Sequence, residues 1–361
     1  MLNRDLARTG QDFVREAWYL AAWSDELDKT PLGVILLGES IVLYRRGDAS
    51  PVALENRCAH RSLPLSLGCV RGELIECAYH GLRFDASGRC VHVPGQSRPP
   101  ADATIRSYPA VEQDRCIWIW MGAPQNADTA KITPFPWMAK KGWRQTKLHA
   151  RIAANYQLII DNLLDLSHLS FVHSSTVGSP ELAESARVKV EPTEDGVVVS
   201  RWTLDVPPAP TYAQFGNYDC NIDRWQISRW FVPSTLVIRN GSAKAGSGAQ
   251  TGGGEQRFEF IVCHGVTPES DKVTNYFWAV THDFLYDDLP SAEEFHRQSH
   301  QVIGEDIAVF KAQQEMLERQ PLAPVVDIRY DAGPLHARRM IDARLAAQAR
   351  APRKEVSNVP A

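Results

Sequence analysis

Two short cysteine–histidine pairs near the start of the chain constrain its fold more than any other feature. The first pair joins Cys58 to His60, and the second joins Cys77 to His80. Each pair places one thiol and one imidazole in a single tight turn, so both side chains can reach the same ion or cluster. Glycines between and after the pairs allow the sharp turns that two facing loops require: Gly68, Gly72, Gly81 and Gly88. The pattern predicts a metal centre held between two loops.

The donor set of this predicted centre is two thiolates and two imidazoles. In a Rieske [2Fe–2S] cluster, two cysteines hold one iron and two histidines hold the other. Structural zinc also binds cysteine and histidine, but such sites usually place two cysteines before two histidines instead of alternating them. Four unrelated residues are the remaining interpretation. We expect an iron–sulfur cluster, which would transfer single electrons.

Composition excludes several classes of protein. The 361 residues include 44% hydrophobic and 23% charged residues, as in globular proteins. The formal net charge of −4 argues against binding to nucleic acid, which usually requires a basic face. Residues 1–10 lack the apolar stretch of a signal peptide, and no apolar run is long enough for a membrane span. Seven cysteines are few and odd in number, which favours reduced thiols and a cytoplasmic location.

The first third of the chain predicts short strands. Its apolar runs are bounded by turn residues and lie at residues 34–37, 41–44, 52–54 and 117–120. A polar stretch with prolines follows, and it predicts a domain boundary within residues 122–140. We therefore predict an N-terminal domain at 15–124, a second domain at 125–345 and a C-terminal tail at 346–361.

The second part of the chain mixes helical and strand patterns. Residues 155–172 and 291–319 are helix-like, and candidate strands lie at residues 187–190, 197–204 and 258–262. Residues 241–254 are rich in glycine but do not match a phosphate-binding motif, so they predict a flexible hairpin loop.

A second cluster of potential ligands lies in the helical segment that begins at residue 155. Asp165 and His168 are three residues apart, which would place them on one helix face. His173 lies too far round a regular helix, so the helix must end or bulge before it if both imidazoles bind one ion. Asp165 could then orient one of the histidines. A buried hydrogen-bonded network without metal is the alternative.

The missing ligand would be a carboxylate from the helix predicted at residues 291–319. At 100° per residue, Asp306 falls at the edge of an apolar stripe formed by Ile303, Ile307 and Phe310, whereas Glu305 falls opposite and should be solvated. A carboxylate on the apolar side needs a partner, which could be a metal or a buried arginine. Two histidines and one carboxylate form the facial triad of non-haem Fe(II) oxygenases.

With these motifs in place, the chain resembles the oxygenase components of Rieske non-haem iron oxygenases, and it is most similar to their vanillate O-demethylase branch. The resemblance extends from residue 18 to about residue 314 and is carried by residues 18–23, 77–82, 165–173, 223–226 and 305–306. It implies an α+β protein, in which an all-β Rieske domain precedes a catalytic domain with an antiparallel sheet flanked by helices.

The resemblance also implies the roles of individual residues. Asp165 would bridge a cluster histidine and an iron histidine of neighbouring subunits in a homotrimer, and Asn162 would lie beside the iron. The ligands of the [2Fe–2S] cluster would be Cys58, His60, Cys77 and His80. The ligands of a mononuclear Fe(II) would be His168, His173 and Asp306.

The reaction implied by the resemblance is O-demethylation of a methoxylated, vanillate-like aromatic acid with O₂. The chain has no dinucleotide fingerprint, so electrons would come from a separate NAD(P)H-dependent reductase, alone or with a ferredoxin. An oxygenase of the same build could instead hydroxylate a ring, remove an N-methyl group or oxidise the methyl group of an aryl sulfonate. An electron carrier that holds only the cluster is the non-enzymatic alternative. Residues 281–284 differ from the pattern of vanillate enzymes, which argues against vanillate itself.

Overall fold

The computed structural model of the protein describes residues 13–350. Within residues 13–121, short antiparallel strands form three small sheets, as the apolar runs predicted. In chain order they are β1 (Trp18–Trp23), β2 (Leu32–Leu36), β3 (Glu39–Arg45), β4 (Pro51–Glu55), β5 (Cys69–Arg71), β6 (Leu74–Glu76), β7 (Arg83–Phe84), β8 (Cys90–His92), β9 (Ser107–Tyr108), β10 (Ala110–Gln113) and β11 (Cys116–Trp120).

The three sheets have different structural roles in this region. The sheets β2-β3-β4-β9 and β5-β6-β7-β8 carry the two cysteine–histidine loops, which follow β4 and β6. Apolar side chains from both sheets form one core beneath the loops, including Val42, Leu54, Ile75 and Phe84. The two loops are therefore supported by a buried hydrophobic core.

The third sheet, β1-β11-β10, attaches this region to the second half of the chain. Leu20 of β1 packs so closely on Gly265 that a Cβ at residue 265 would lie 2.7 Å from the Leu20 Cδ2 atom. The Thr267 hydroxyl also donates a 2.7 Å hydrogen bond to the Leu20 carbonyl. Glycine at 265 is thus required by the close approach of two sheets.

A seven-stranded antiparallel sheet dominates residues 144–282, in the order β12-β18-β17-β16-β15-β14-β13. Successive side chains of a strand alternate between faces. Helices pack on the face that includes Ile238 and Val262, and the sheet β1-β11-β10 packs on the opposite face, which includes Ile261 and Phe277. The strands are β12 (Arg144–Ile152), β13 (Arg187–Thr193), β14 (Gly196–Val206), β15 (Ile222–Phe231), β16 (Thr235–Lys244), β17 (Phe258–Ser270) and β18 (Val273–His282).

Helices pack on this sheet and complete the predicted α+β architecture. In chain order they are α1 (Tyr156–Leu164), α2 (Leu169–Val172), α3 (Glu181–Glu184), α4 (Pro210–Gly216), α5 (Leu289–Arg319) and α6 (Ala332–Arg350). The long helix α5 starts where the Asp288 side chain accepts a hydrogen bond from the backbone N–H of Ser291. None of the helices within residues 13–350 is both long and apolar enough to cross a membrane.

Most predicted helices and strands are confirmed, but several of them extend beyond their predicted ends. The helix predicted at 291–319 is α5, and the strands predicted at 187–190, 197–204 and 258–262 are parts of β13, β14 and β17. The glycine-rich segment 241–254 forms a hairpin connection only from residue 245, because β16 continues to Lys244. Helix α6 reaches Arg350, inside the predicted tail at 346–361. The remainder of that tail lies outside the described residues.

Candidate metal centres and active site

The two cysteine–histidine loops have the same backbone design. The N–H of Cys58 donates to the carbonyl of Leu63, and the N–H of Cys77 donates to the carbonyl of Leu82. The residue four positions after each cysteine returns a hydrogen bond to that cysteine's carbonyl. These residues are Ser62 and Gly81, and both have positive φ, at 57° and 70°. The repeated turn explains how two separate segments present their ligands in the same way.

The four predicted cluster ligands converge between the loops. Cys58 and Cys77 are buried, whereas His60 and His80 are exposed. The two imidazole Nδ1 atoms lie 3.2 Å apart, and the ring centroids are separated by 4.5 Å. Burial, together with the neighbouring Cys77, raises the pKa of the Cys58 thiol. A bound metal would offset this cost of forming thiolates, so buried sulfur and exposed nitrogen donors fit a Rieske cluster.

The second ligand cluster exists because the helix that begins at Tyr156 is interrupted. Helix α1 ends at Leu164, a 3₁₀ turn covers Leu166–His168, and α2 ends at Val172. His173 therefore follows the end of α2, as expected for two histidines that share one ion. A continuous helix would have turned the two imidazoles apart.

His168, His173 and Asp306 form a compact triad. The Asp306 Oδ1 atom lies 3.1 Å from His173 Nε2 and 3.5 Å from His168 Nε2. The potential ligand atoms of all three residues are within 4.8 Å of one another, and no arginine pairs with Asp306 in the described part of the chain. Asn162 lies beside them, with its Nδ2 atom 3.3 Å from both Asp306 Oδ1 and His168 Nε2.

Protons on the far side of each imidazole leave the inner nitrogens free to bind a metal. The His168 Nδ1 atom is 2.7 Å from the carbonyl oxygen of Asp165, which can only accept a hydrogen bond. The His173 Nδ1 atom is 2.6 Å from the Glu305 carboxylate. Both contacts favour a proton on Nδ1, so that Nε2 is the nitrogen that can offer its lone pair to a metal. The triad is therefore prepared to ligate a divalent ion.

The side chain of Asp165 does not orient His168, contrary to the simplest expectation from their spacing. Its carboxylate accepts hydrogen bonds from the Ser167 backbone and hydroxyl, both at 3.0 Å, and from Arg201 at 3.2 Å. The helix ends at Leu164, so Asp165 caps the following 3₁₀ turn and presents its carbonyl to His168 instead. Within one chain, Asp165 thus positions the histidine through the backbone.

The prediction that Glu305 is solvated is correct only in part, because its side chain is 28% exposed but also contacts His173. Glu305 points away from the Asp306 face of α5, but His173 extends far enough for its Nδ1 atom to reach the Glu305 carboxylate. The Gln301 side chain, one turn earlier, also donates to Glu305 at 3.0 Å. Periodicity located the apolar stripe correctly, but it contained no information about a residue that approaches from another helix.

We expect Glu305→Gln to weaken iron binding at the triad about tenfold, since outer partners of metal-bound histidines typically contribute 10–100-fold to metal affinity. The amide keeps the size of the side chain but removes the negative charge that holds the His173 proton. Titration of the metal-depleted protein with Fe(II) checks this. Glu318→Gln, at an exposed site on the same helix, is the control. Equal iron affinities for both variants would contradict the assigned role.

Electrostatics favour the charged form of the triad's carboxylate. Burial raises the pKa of Asp306, but hydrogen bonds and attraction from His168 and His173 outweigh burial and hold this pKa well below its ordinary value. For His173, burial lowers the pKa, yet Asp306 and Glu305 raise it above its ordinary value. Asp306 is thus an anion at neutral pH, as a metal ligand must be.

An apolar cavity of about 90 Å³ opens directly onto the triad. Its walls come from α1, α5 and one face of the large sheet. Its apolar lining includes Leu163, Leu169, Ile238, Phe260, Val262, Trp278, Val280 and Phe295. A cavity with such walls beside a potential metal site suits an aromatic or other apolar substrate.

A few neutral polar side chains also line the cavity. The His264 Nδ1 atom is 2.8 Å from the Tyr276 hydroxyl, while its Nε2 atom has no hydrogen-bond partner among the described residues, 13–350. Burial lowers the pKa of His264 to about 3, so this imidazole is neutral at physiological pH. Gln226 donates a long 3.4 Å hydrogen bond to Asn240, and its own carbonyl oxygen is unpaired. These groups can orient a bound molecule.

Sequence reasoning found only part of this cavity. Gln226 and His264 could not be distinguished from core residues by any spacing, and Asn240 was missed because it lies in an ordinary strand. His282, the last residue of β18, does not line the cavity. Its Nδ1 atom donates to the Phe284 carbonyl, and its Nε2 atom lies 2.9 Å from His296 Nε2.

Comparison with known proteins agrees with both centres. Residues 17–109 match the Rieske [2Fe-2S] domain, and residues 152–347 match the vanillate O-demethylase oxygenase C-terminal domain. The iron–sulfur subunit of the toluene-4-sulfonate monooxygenase system of Comamonas testosteroni is 36% identical over 93% of this chain and 98% of its own length. The vanillate O-demethylase oxygenase subunit of Pseudomonas sp. strain HR199 is 36% identical, over 93% and 96%.

The fold is also that of a known enzyme. A crystal structure of dicamba monooxygenase bound to 3,6-dichlorosalicylic acid superposes with a TM-score of 0.86 at 30% identity, covering 94% of this chain and 99% of that one. Another crystal structure of dicamba monooxygenase contains non-heme iron.

A Rieske domain joined to a His/Asp triad defines a class of enzyme, the Rieske non-haem iron oxygenases. This chain belongs to that family, in the branch that contains the vanillate O-demethylase oxygenase subunits. Its cofactors are therefore a Rieske [2Fe–2S] cluster and mononuclear non-haem iron.

Proposed function

We propose that the protein is the oxygenase component of a monooxygenase that O-demethylates a methoxylated aromatic acid. The observation that carries this proposal is the apolar cavity, which places neutral polar groups opposite a two-histidine, one-carboxylate triad. When bound, the cluster would supply electrons and the mononuclear iron would supply the reactivity towards O₂. The protein's own residues bind and orient the arene and exclude water.

The proposal assigns a role to each predicted site residue. Cys58, His60, Cys77 and His80 hold the cluster, with the thiolates inside and the imidazoles at the surface. His168, His173 and Asp306 hold the iron. Asn162 donates a hydrogen bond to Asp306, and its Oδ1 atom, which accepts none from residues 13–350, can position a water or a substrate group.

We also propose that the protein acts as a homotrimer, in which the cluster of one subunit lies next to the Asp165 of another. Two exposed apolar surfaces support this arrangement. One lies in the domain that carries the cluster loops and includes Leu67, Val91 and Tyr79, whose ring contacts that of His80. The other lies beside the cavity that reaches Asp165 and includes Leu322 and Val326. Two different patches that bind each other generate a closed ring when the rotation between subunits closes.

The electron donor in this proposal is a separate NAD(P)H-dependent reductase, with or without a ferredoxin. Relatives named as an oxygenase subunit or as the iron–sulfur subunit of a system support this division of labour. The domain limits of 15–124 and 125–345 remain part of the proposal. So does a cytoplasmic location, which the small and odd number of cysteines supports.

Turnover of a panel of methoxylated benzoates with NADH and a surrogate reductase tests this function. We expect substrate-dependent O₂ uptake and about one formaldehyde per NADH, because a methoxyl group is converted into a phenol and formaldehyde. Omitting the reductase is the control, and sustained turnover without it would contradict the proposed partner. If no methoxyarene yields formaldehyde, O-demethylation is wrong.

Oxidation of an aryl methyl group is the second candidate function. It is favoured by the 36% identity to a subunit of a toluene-4-sulfonate monooxygenase system. The same assay distinguishes the two. Conversion of toluene-4-sulfonate to its hydroxymethyl product without release of formaldehyde would favour this second function.

A further inference from the structure

Arg224 is a buried cation whose guanidinium nitrogens have no hydrogen-bond partner. The residue is 2% exposed, and its Nε, Nη1 and Nη2 atoms make no hydrogen bond to the part of the chain that the structure describes. The guanidinium stacks on the ring of Tyr212, with Cζ 4.0 Å from the ring centroid, and the Tyr212 hydroxyl is also unpaired. Because guanidinium remains protonated at physiological pH, a full positive charge lies in the interior.

The other buried arginines show what Arg224 lacks. Arg201 pairs with Asp165 at 3.2 Å, and Arg338 pairs with Asp161. Burial lowers the pKa of Arg224 in spite of its attraction to Tyr212 and the weaker attraction to Glu181, which lies beyond ion-pair distance. A buried charge without a partner is unfavourable, so a counter-ion that is not part of residues 13–350 is expected.

The position of Arg224 points to the source of that counter-ion. Arg224 and Gln226 are two residues apart on β15, so their side chains project from the same face of the sheet about 7 Å apart. Gln226 lines the cavity next to the triad, as does Thr211, the neighbour of Tyr212. Thr203, opposite Arg224 on β14, contributes another unpaired hydroxyl. The cation therefore lies directly behind the cavity wall, among polar atoms that lack partners.

The Gln226 side chain, which separates the cavity from Arg224, is held by few hydrogen bonds. The Gln226 side chain makes one hydrogen bond, a 3.4 Å contact with Asn240, and its carbonyl oxygen makes none. Rotation of this side chain would break only that long hydrogen bond, and it is the movement by which a ligand in the cavity could reach the guanidinium. A carboxylate or sulfonate can then accept two parallel hydrogen bonds from the guanidinium, and the Tyr212 hydroxyl can donate a third.

We propose that Arg224 binds the acidic group of the aromatic substrate and selects arene acids over neutral arenes of the same size. This inference rests on the proposed function, because it assumes that the cavity holds an aromatic substrate. It assigns the charge recognition to a residue outside the present cavity lining, while His264, Asn240 and Gln226 supply neutral contacts.

The test compares Arg224→Met with the wild-type holoenzyme on matched pairs of ligands. Each pair is a methoxybenzoate and the corresponding methoxybenzyl alcohol, and toluene-4-sulfonate with 4-methylbenzyl alcohol forms a second series. Calorimetric dissociation constants are measured in the absence of reductase, so that binding does not depend on turnover. We expect binding of the acids to weaken at least about 30-fold, with the alcohols changed less than about threefold. The ligand series, carboxylate or sulfonate, whose binding weakens more in Arg224→Met identifies the acidic group that Arg224 recognises.

Two further variants distinguish a role of Arg224 in ligand recognition from a structural role. Arg229→Gln, on the opposite face of the same strand and in an exposed pair with Asp195, is the matched control and should leave both ligand classes unchanged. Arg224→Lys keeps the charge but not the two-pronged donor, so an intermediate loss is expected. The melting temperature of ligand-free Arg224→Met should be unchanged or higher, since the variant removes a buried charge that has no partner.

The inference is overturned if the acids and alcohols weaken equally in Arg224→Met, or if neither weakens. A lower melting temperature with unchanged ligand preference would likewise overturn it and assign Arg224 a structural role. The formaldehyde assay with wild-type protein tests the proposed function independently of Arg224. If the wild type demethylates normally and the Arg224→Met variant gives one of the results above, only the role of Arg224 is rejected. A wild-type protein that binds no arene acid would reject both proposals.

Discussion

Replacing Asp306 by alanine is expected to remove the mononuclear iron while the iron–sulfur cluster stays in place. Asp306 is the one carboxylate of the triad, and its Oδ1 atom lies 3.1 Å from His173 Nε2 and 3.5 Å from His168 Nε2. Without it, two neutral imidazoles remain, which bind ferrous iron much more weakly. Iron content should fall from about three to about two per chain.

Activity should fall with the iron. The loss of turnover should exceed the roughly 10–100-fold that follows removal of an outer partner of a metal ligand, because a direct ligand is lost. Visible absorption of the cluster should be unchanged, since the cysteine–histidine loops stand on a separate core. Glu315→Ala, an exposed carboxylate on the same helix that pairs only at the surface with Arg319, is the control. Three irons per chain in the Asp306 variant would show that the triad is not the iron site.

The second large effect is expected for Asp165→Asn, which should retain both metal centres and yet lose about 100-fold or more in turnover. Within one chain the Asp165 carboxylate contacts Ser167 and Arg201, and the carbonyl of residue 165 holds His168. Asparagine can still accept the Ser167 hydrogen bond, so the 3₁₀ turn and the iron site should persist. What disappears is a negative charge that pairs with Arg201 within the chain and that, in the proposed homotrimer, would face a cluster histidine of a neighbouring subunit.

Three measurements separate this role from a structural one. Iron content and cluster absorption should match the wild type, and single-turnover transfer of electrons from the reduced cluster should slow by a similar factor. Asp195→Asn, in an exposed pair with Arg229, should have no effect. If Asp165→Asn turns over at the wild-type rate, the electron path does not pass through this side chain.

The two metal centres differ in how far local sequence could predict them. The cluster loops are local structures, since Cys58 with His60 and Cys77 with His80 each lie within one turn, and spacing alone brings each pair together. The iron triad combines a local element with a distant one. The interruption before His173 followed from helix periodicity, whereas Asp306 could be selected only by its place on an apolar stripe 133 residues later.

Sequence patterns could not predict how deeply the side chains of the site are buried or which hydrogen-bond partners they have. Glu305 was expected in solvent but also contacts His173, and Asp165, which could have oriented either histidine, holds His168 through its backbone carbonyl. Neither contact could be read from the sequence, for the same reason. Periodicity describes the faces of a single helix, and hydrogen-bond partners depend on how two elements approach each other.

The amino-acid order by itself determined the identity of the metal donors, because thiols, imidazoles and carboxylates can bind metal only where they occur at suitable short spacings or helical positions. Packing of the sheet against α1 and α5 decided the rest: which polar side chains face the cavity, and which buried charge has no partner. Arg224 and Gln226 share strand β15, whereas Asn240 comes from β16, and no residue spacing predicted that the pairing of β15 with β16 would place Gln226 opposite Asn240.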